Sequence, residues 1–225
     1  SLVESTRSIE TSSACDSRQI VASGGKPLLL GGDHSLTYPI VTEFAETVPG
    51  IRIVHFDAHA DRRPLDDTDV DTTPDCGDFV EHLLDRFPDL PFLTIGVRGW
   101  TTNLRTRGSD YEYLTAEDVH EGRAADRVRD FCEDRPVYIT TDIDVLDPSI
   151  APEVAFAAPG GLTLPHLKKL IATATQSAAS IVGADFVEAC GSTNGRNLAA
   201  MAQAASIATL LENDRVNREY GETAC

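Results

Sequence analysis

Two histidines and four aspartates stand out for the chemistry they could share: His34, Asp57, His59, Asp61, Asp142 and Asp144. They fall in three short segments, Gly31-Gly32-Asp33-His34-Ser35, Asp57-Ala58-His59-Ala60-Asp61 and Asp142-Ile143-Asp144-Val145-Leu146-Asp147-Pro148. Four carboxylates brought together repel one another and cannot all stay ionised unless cations sit among them. Two imidazoles and four carboxylates, with no thiolate, suit divalent ions of intermediate hardness, Mn2+ foremost. Two such ions about 3.5–4 Å apart, bridged by a carboxylate, lower the pKa of a shared water from about 15.7 towards about 7. That is the chemistry of hydrolysis at neutral pH. Singly, an Asp-x-His or an Asp-Pro arises by chance; the three segments together, in this order, are specific. Asp33-His34-Ser35 is not a triad, because consecutive residues cannot face one another as orienter, base and nucleophile. Of the other histidines, His55 lies inside an apolar run and is expected to be packed, while His82, His120 and His166 are expected at the surface.

Each segment follows a short apolar run. Pro27–Leu30, Arg52–Phe56, Pro91–Gly96, Pro136–Thr141 and Ile181–Val187 read as buried strands of a parallel sheet. Helical spacing is found around Gln19 and over Leu36–Thr47, Phe79–Arg86, Ala124–Glu133, Leu164–Ser177 and Leu198–Leu211, with Thr163 and Pro165 marking one helix start. Alternating strand and helix predicts an α/β domain with a mostly parallel sheet covered on both faces. No repeat or linker divides residues 1–225, so a single domain is expected. Carboxyl ends of strands are where open sheets assemble their sites. In extended chain, residues two apart share a face, which would aim Asp57, His59 and Asp61 together, and likewise Asp142 and Asp144.

Composition narrows the partners. The formal charge of −17 argues against nucleic acid and anionic membrane. No run approaches the roughly 18 apolar residues of a membrane span. Ser1–Ser12 is too polar for a signal peptide, and the missing initiator Met suggests processing or a start inside a longer reading frame. Five cysteines without a CxxC fit reduced thiols in a cytoplasm. Twenty-two Asp against three Lys fits either a protein adapted to concentrated salt or an ordinary acidic cytosolic enzyme, and Asp66–Asp71 reads as a solvated loop.

Gly31–Ser35, Asp57–Asp61 and Asp142–Pro148 resemble the signature segments of the ureohydrolase superfamily, which includes arginase, agmatinase and formimidoylglutamase. The resemblance runs from about Leu28 to about Leu211. It implies a three-layer α/β/α fold, two Mn2+ per chain and a small guanidino or amidino substrate. It further implies that Asp57 and Asp142 bridge the ions, with His34 and Asp61 completing one site and His59 and Asp144 the other. Asp61 would orient the attacking hydroxide, and Glu188 would pair with the substrate guanidinium. A homo-oligomer, trimer or hexamer, is also implied.

Four departures bear on substrate. Family members are longer, so an N-terminal portion of the sheet is expected to be missing. Where arginases and agmatinases carry His-Gly, this chain reads Asp75-Cys76-Gly77-Asp78, so Cys76 stands in place of a proposed proton shuttle. The loop Glu153–Gly161 differs from the Gly- and Thr-rich one of agmatinases. Arg62-Arg63 resembles formimidoylglutamases, where an Arg near the site could bind an acidic substrate; balancing Asp66 and Asp67 is the other reading of Arg63. Tyr138–Pro148, Gly96-Val97-Arg98-Gly99 and Val187-Glu188 are nearest to agmatinases, so agmatine is the first expectation. Formimidoylglutamate, or the substrate of another amidinohydrolase, is the alternative, followed by a one-zinc deacetylase relative or a non-catalytic scaffold.

Overall fold

The computed structural model describes residues 19–21, 23–65, 73–99, 111–191 and 195–222, the side chains of 215–222 excepted. The Asp66–Asp71 run lies outside the described residues. Six strands, β1 (Leu28–Leu30), β2 (Arg52–Phe56), β3 (Phe92–Val97), β4 (Tyr111–Thr115), β5 (Pro136–Asp142) and β6 (Ser180–Val187), form one sheet in the order β1-β6-β5-β2-β3-β4. Every pairing is parallel. The helices are α1 (Thr37–Thr47), α2 (Phe79–Arg86), α3 (Ala116–His120), α4 (Ala124–Cys132), α5 (Leu164–Ser177) and α6 (Leu198–Glu222).

The strands are apolar on both sides because helices cover both sides. Val54, Phe56, Val137 and Ile139 pack with Phe131 of α4, Ile171 of α5 and Leu210 of α6. Their neighbours Ile53 and Tyr138 face the other way, against Ile40 and Phe44 of α1 and Phe79 and Leu83 of α2. Each fully buried side chain of this size contributes about 1.5–3 kcal/mol. The result is the expected three-layer arrangement.

Helix α5 starts where the sequence said it would: the Thr163 hydroxyl accepts from the His166 N–H at 3.3 Å, and Pro165 lies in the first turn. Two elements were not foreseen. Strand β4 reads Tyr-Glu-Tyr-Leu-Thr and is only half-buried, being the sheet's edge, so it has no apolar run to announce it. Helix α3 is a single turn closed by a Thr115–Asp118 capping box. His82 is a correction: it is 9% exposed, held beneath Tyr38, because it falls on the inward side of α2. His120 is exposed as expected, while His166 is only partly so.

Gly96 is required where it stands. Its φ is +110°, and a Cβ there would meet Val145 Cγ2 at 2.5 Å and the Asp57 carbonyl at 2.8 Å. The absent side chain lets β3 approach the turns that follow β2 and β5.

Candidate metal centre

His34 follows β1, Asp57–Asp61 follow β2, Asp142 ends β5 and Glu188 follows β6. These four strands are neighbours in the order β1-β6-β5-β2, so their carboxyl ends deliver all seven side chains to one place.

The local device that turns each chain is the same three times. Asp33 Oδ1 accepts the Ser35 N–H at 2.9 Å, Asp57 Oδ1 that of His59 at 2.5 Å, and Asp142 Oδ1 that of Asp144 at 2.8 Å. An aspartate that binds the amide two residues on forms its own turn. This corrects the expectation of extended alternation. Strand β2 ends at Phe56, and Asp144 lies in a 3-10 turn, Ile143–Val145, so the side chains converge through turns and not through a pleat. Asp144 Oδ1 also accepts the Ala58 N–H at 3.0 Å, tying the second segment to the third.

Two sets of donor atoms result. His34 Nδ1 lies 3.2 Å from Asp57 Oδ2, 3.3 Å from Asp61 Oδ2 and 3.6 Å from Asp142 Oδ2. His59 Nδ1 lies 3.0 Å from Asp144 Oδ2 and 3.3 Å from Asp57 Oδ1. Asp57 therefore presents one oxygen to each set. All six ligand candidates are assembled, five of them buried; His59 is 36% exposed.

His34 tests whether the residues fit a cation. Asp185 is wholly buried and accepts from Thr140 Oγ1 at 2.6 Å, Tyr138 OH at 2.8 Å and Thr37 Oγ1 at 2.9 Å. Thr140 has one hydroxyl proton and gives it to Asp185, so at 2.8 Å it can only accept from His34 Nε2. In the neutral imidazole, that places the proton on Nε2 and the lone pair on Nδ1. Nδ1 is buried and has no hydrogen-bond partner, although three carboxylate oxygens stand within 3.6 Å. A lone pair facing carboxylates is repelled unless a cation stands between them. The donor set fits a metal.

The protonation pattern says the same. Burial pulls the His34 pKa down, but Asp142, Asp57 and Asp61 outweigh it and leave it raised. Hydrogen bonding to Asp144 and Asp57 pushes His59 up to about 11. Burial, then the Asp57 charge, holds the Asp61 and Asp142 carboxyls well above the usual range. Without metal, the cluster holds protons where cations would stand.

Strain marks two of these positions. Asp61 has φ +48° and Glu188 φ +64°, in the left-handed region that side chains rarely adopt. Glu188 is fixed there by a 2.8 Å hydrogen bond from the His34 N–H to Oε1. An open cavity of about 750 Å3 borders the cluster, with Glu188, Cys76, Arg63, Arg98 and Phe156 in its walls. Cys76 Sγ approaches carboxylate oxygens of Asp33 and Glu188 within 4.8 Å. Burial, then the charge of Asp33 and Glu188, pushes this thiol up to about 12. Arg63 reaches the cavity too, but its guanidinium is held by Asp75 at 2.8 Å and by the buried Asp78. That is not the free charge that binding an acidic substrate needs.

Sequence reasoning passed over the residues behind the cluster. His55 is packed, as expected, yet its Nε2 also meets Asp57 Oδ2 at 3.0 Å and its Nδ1 meets Thr94 at 3.1 Å. Phe79 lies against both His34 and His55, at ring distances of 4.6 and 5.7 Å. Thr140 and Asp185 could have been suspected only as polar residues inside apolar strands.

The comparisons with known proteins agree with this geometry. The family model for the arginase family matches residues 4–211. The chain is 35% identical over 193 residues to an agmatinase of Chromobacterium violaceum, covering 83% of this chain and 57% of that protein. A crystal structure of a hypothetical agmatinase from Burkholderia thailandensis superposes with a TM-score of 0.81 at 27% identity, covering 94% of this chain and 66% of the other. The formimidoylglutamase of Bacillus subtilis shares the fold, with a TM-score of 0.79 at 22% identity over 95% of this chain and 68% of that one. The chain spans about half the length of the curated relatives it matches, from 45% to 59%. Six metal-ligand candidates on the carboxyl ends of neighbouring parallel strands, together with this match, place the chain in the arginase family.

Proposed function

We propose that this chain carries the core of a manganese-dependent hydrolase that cleaves a C–N bond of a guanidino or amidino group, with agmatine, split to putrescine and urea, as the first substrate. The observation that carries this reading is His34 Nδ1, a buried ring nitrogen without a hydrogen-bond partner that faces three carboxylate oxygens within 3.6 Å. The donors are imidazole and carboxylate, which suits Mn2+. When bound, two such ions lower the pKa of water at the cluster from about 15.7 towards about 7.

The remaining work belongs to side chains. Glu188 is held at Oε1 by the His34 N–H, which leaves Oε2 for a planar guanidinium at the cavity wall. A carboxylate pairing with that cation fixes the electrophilic carbon in place. Asp61, 3.3 Å from His34 Nδ1 and in the cavity wall, is the carboxylate placed to orient the attacking water and take up its proton. The departing nitrogen takes a proton as its bond to carbon breaks, and urea leaves with the new C–O bond. Cys76 is a weak candidate for that delivery, since a thiol titrating at about 12 gives up its proton reluctantly near neutral pH. Asp61 or solvent then supplies it.

Metal analysis of the purified protein separates this reading from its rivals: two Mn per chain for the hydrolase, one Zn for a deacetylase-like site, none for a scaffold. A panel of agmatine, arginine, guanidinobutyrate, guanidinopropionate and formimidoylglutamate, scored for urea or formamide, then identifies the reaction. Two bound Mn with no product from any of these would refute the assignment to guanidino and amidino substrates.

A further inference from the structure

Three arginines stand in the cavity wall, and each has its charge engaged. Arg98 donates to five main-chain carbonyls: Gly96, Asp144, Val145, Leu146 and Ala158. It is a brace between β3 and the turns that carry the cluster. Arg62 donates from Nε to Glu81 at 2.9 Å and lies over the Tyr111 ring at 4.3 Å. Its Nη1 has no partner but is buried, without surface to offer a ligand.

Arg63 is the exposed one, at 55% of its side chain. Its Nη2 meets both Asp75, 52% exposed, and Asp78, which is buried. Asp78 also accepts the Asp75 N–H at 2.7 Å, and Asp75 accepts the Gly77 N–H at 2.8 Å. Arg63 cannot swing towards a ligand without stranding a buried carboxylate, which is costly. Two carboxylates and one guanidinium leave this group with one net negative charge. Across the cavity wall, Asp33 and Glu188 add more of the same sign near Cys76. Among the described residues, the cavity wall thus offers no arginine with an exposed, unengaged guanidinium, while the carboxylates of Asp33, Asp75 and Glu188 stand at or beside it.

We propose that Asp75 sets the charge selectivity of this cavity, by giving the Arg63 group a net negative charge that admits a guanidino substrate with a cationic or neutral far end and excludes one ending in a carboxylate. This rests on the proposed function. It also goes further, because it names the residue that decides between a guanidino amine and a guanidino acid. Asp75 touches neither the metal ligands nor the guanidinium subsite; it acts on the far end of the ligand through charge.

The test uses the full chain loaded with Mn2+ and three probes sharing a guanidino head: agmatine, butylguanidine and guanidinobutyrate, whose far ends are cationic, neutral and anionic. Binding is read by calorimetry and turnover by product. Wild type should prefer them in that order. Asp75→Asn keeps an acceptor for the Gly77 N–H and removes one charge; Asp75→Lys removes the charge and adds its opposite. The ratio of anionic to cationic probe affinity should rise about five- to tenfold with each unit of charge. The steps should shrink in molar KCl, which a purely structural role for Asp75 would not predict. Equal ratios in wild type and both variants, with metal content and melting temperature retained, would overturn the proposal. So would wild-type preference for guanidinobutyrate. The expected binding order without turnover of any probe would instead overturn the hydrolase reading and leave the selector standing.

Discussion

Thr140 Oγ1 stands 2.6 Å from an oxygen of Asp185 and 2.8 Å from His34 Nε2, and this relay decides which face of the imidazole can bind a cation. Thr140→Val keeps the shape but removes the acceptor for Nε2–H and one donor to Asp185. Loss of such a supporting hydrogen bond costs about 10- to 100-fold in metal affinity. Leaving buried polar atoms unpaired costs about 1–3 kcal/mol of stability. Competition against a fluorescent chelator measures the first and chemical denaturation the second. Thr140→Ser, which restores the hydroxyl, should recover most of both.

Asp57 and Asp142 both approach His34 Nδ1, and Asp57 also reaches His59. Because metal binds the folded state alone, the melting temperature should climb with Mn2+; at 100 times Kd the gain is about 2.7 kcal/mol. Asp142→Asn should abolish most of that rise and empty both sites if Asp142 bridges them, as the family resemblance implies, since an amide does not bridge as a carboxylate does. Full metal content and a normal Mn2+ response in this variant would sink the binuclear assignment.

His59 titrates at about 11 without metal, so a cation must displace its proton throughout the neutral range. A raised pKa means that acid conditions favour the proton and alkaline conditions favour the metal. Between about pH 6 and 9, affinity should therefore rise about tenfold per pH unit for each proton displaced. Calorimetry in buffers of different ionisation enthalpy counts those protons directly. An affinity independent of pH would contradict the arrangement around His59.

Cys76 should react slowly with iodoacetamide at pH 7.5, despite lining an open cavity, because its thiol titrates at about 12. Peptide mapping should find Cys190, which is exposed, modified before Cys76. Cys76→His puts an imidazole, whose ordinary pKa is about 6.5, in the same place. Turnover of agmatine, the proposed substrate, should then rise, by up to the roughly 10²–10⁴-fold range of general acid–base effects. Rapid alkylation of Cys76 at neutral pH would show that the nearby carboxylates do not act on it as described.

Asp147 latches the loop that carries Phe156 to the turn that carries Asp144. Its carboxylate accepts from the hydroxyl and amide of Ser149 and from the amides of Gly160 and Gly161, and these bonds lower its pKa to about 2. Gly161 is fixed there sterically as well, since a Cβ would meet Arg98 Nη2 and the Asp147 N at 2.5 Å. A depressed carboxylate stabilises above its unfolded pKa of about 3.9 and ceases to do so as pH falls towards 2. Asp147→Ala at neutral pH should reproduce that loss, with several-fold faster amide exchange at Gly160 and Gly161. Unchanged protection at both amides would show that the latch is not what holds the loop.

Much of this protein was legible in its sequence. Apolar runs of strand length separated by helical spacing dictate a parallel sheet covered on both faces, because only a covered sheet can be apolar on both sides. The His and Asp types after those runs point to a candidate cation site, because carboxylates gathered together must hold either protons or metal ions. Strand β4 escaped because edge strands need no continuous apolar run, and His82 because its side of α2 is set by packing. What only the tertiary structure decided is how the side chains meet. Asp57 and Asp142 aim their neighbours by binding the amide two residues on, a choice of turn that period-two reasoning does not contain. The His34 tautomer depends on Thr140 and Asp185, 106 and 151 positions away in the chain, which β5 and β6 bring beside β1. The charge of Arg63 was in the sequence; that Asp75 and Asp78 already hold it depends on the fold of the loop, because an ion pair is a matter of distance, and sequence gives no distances.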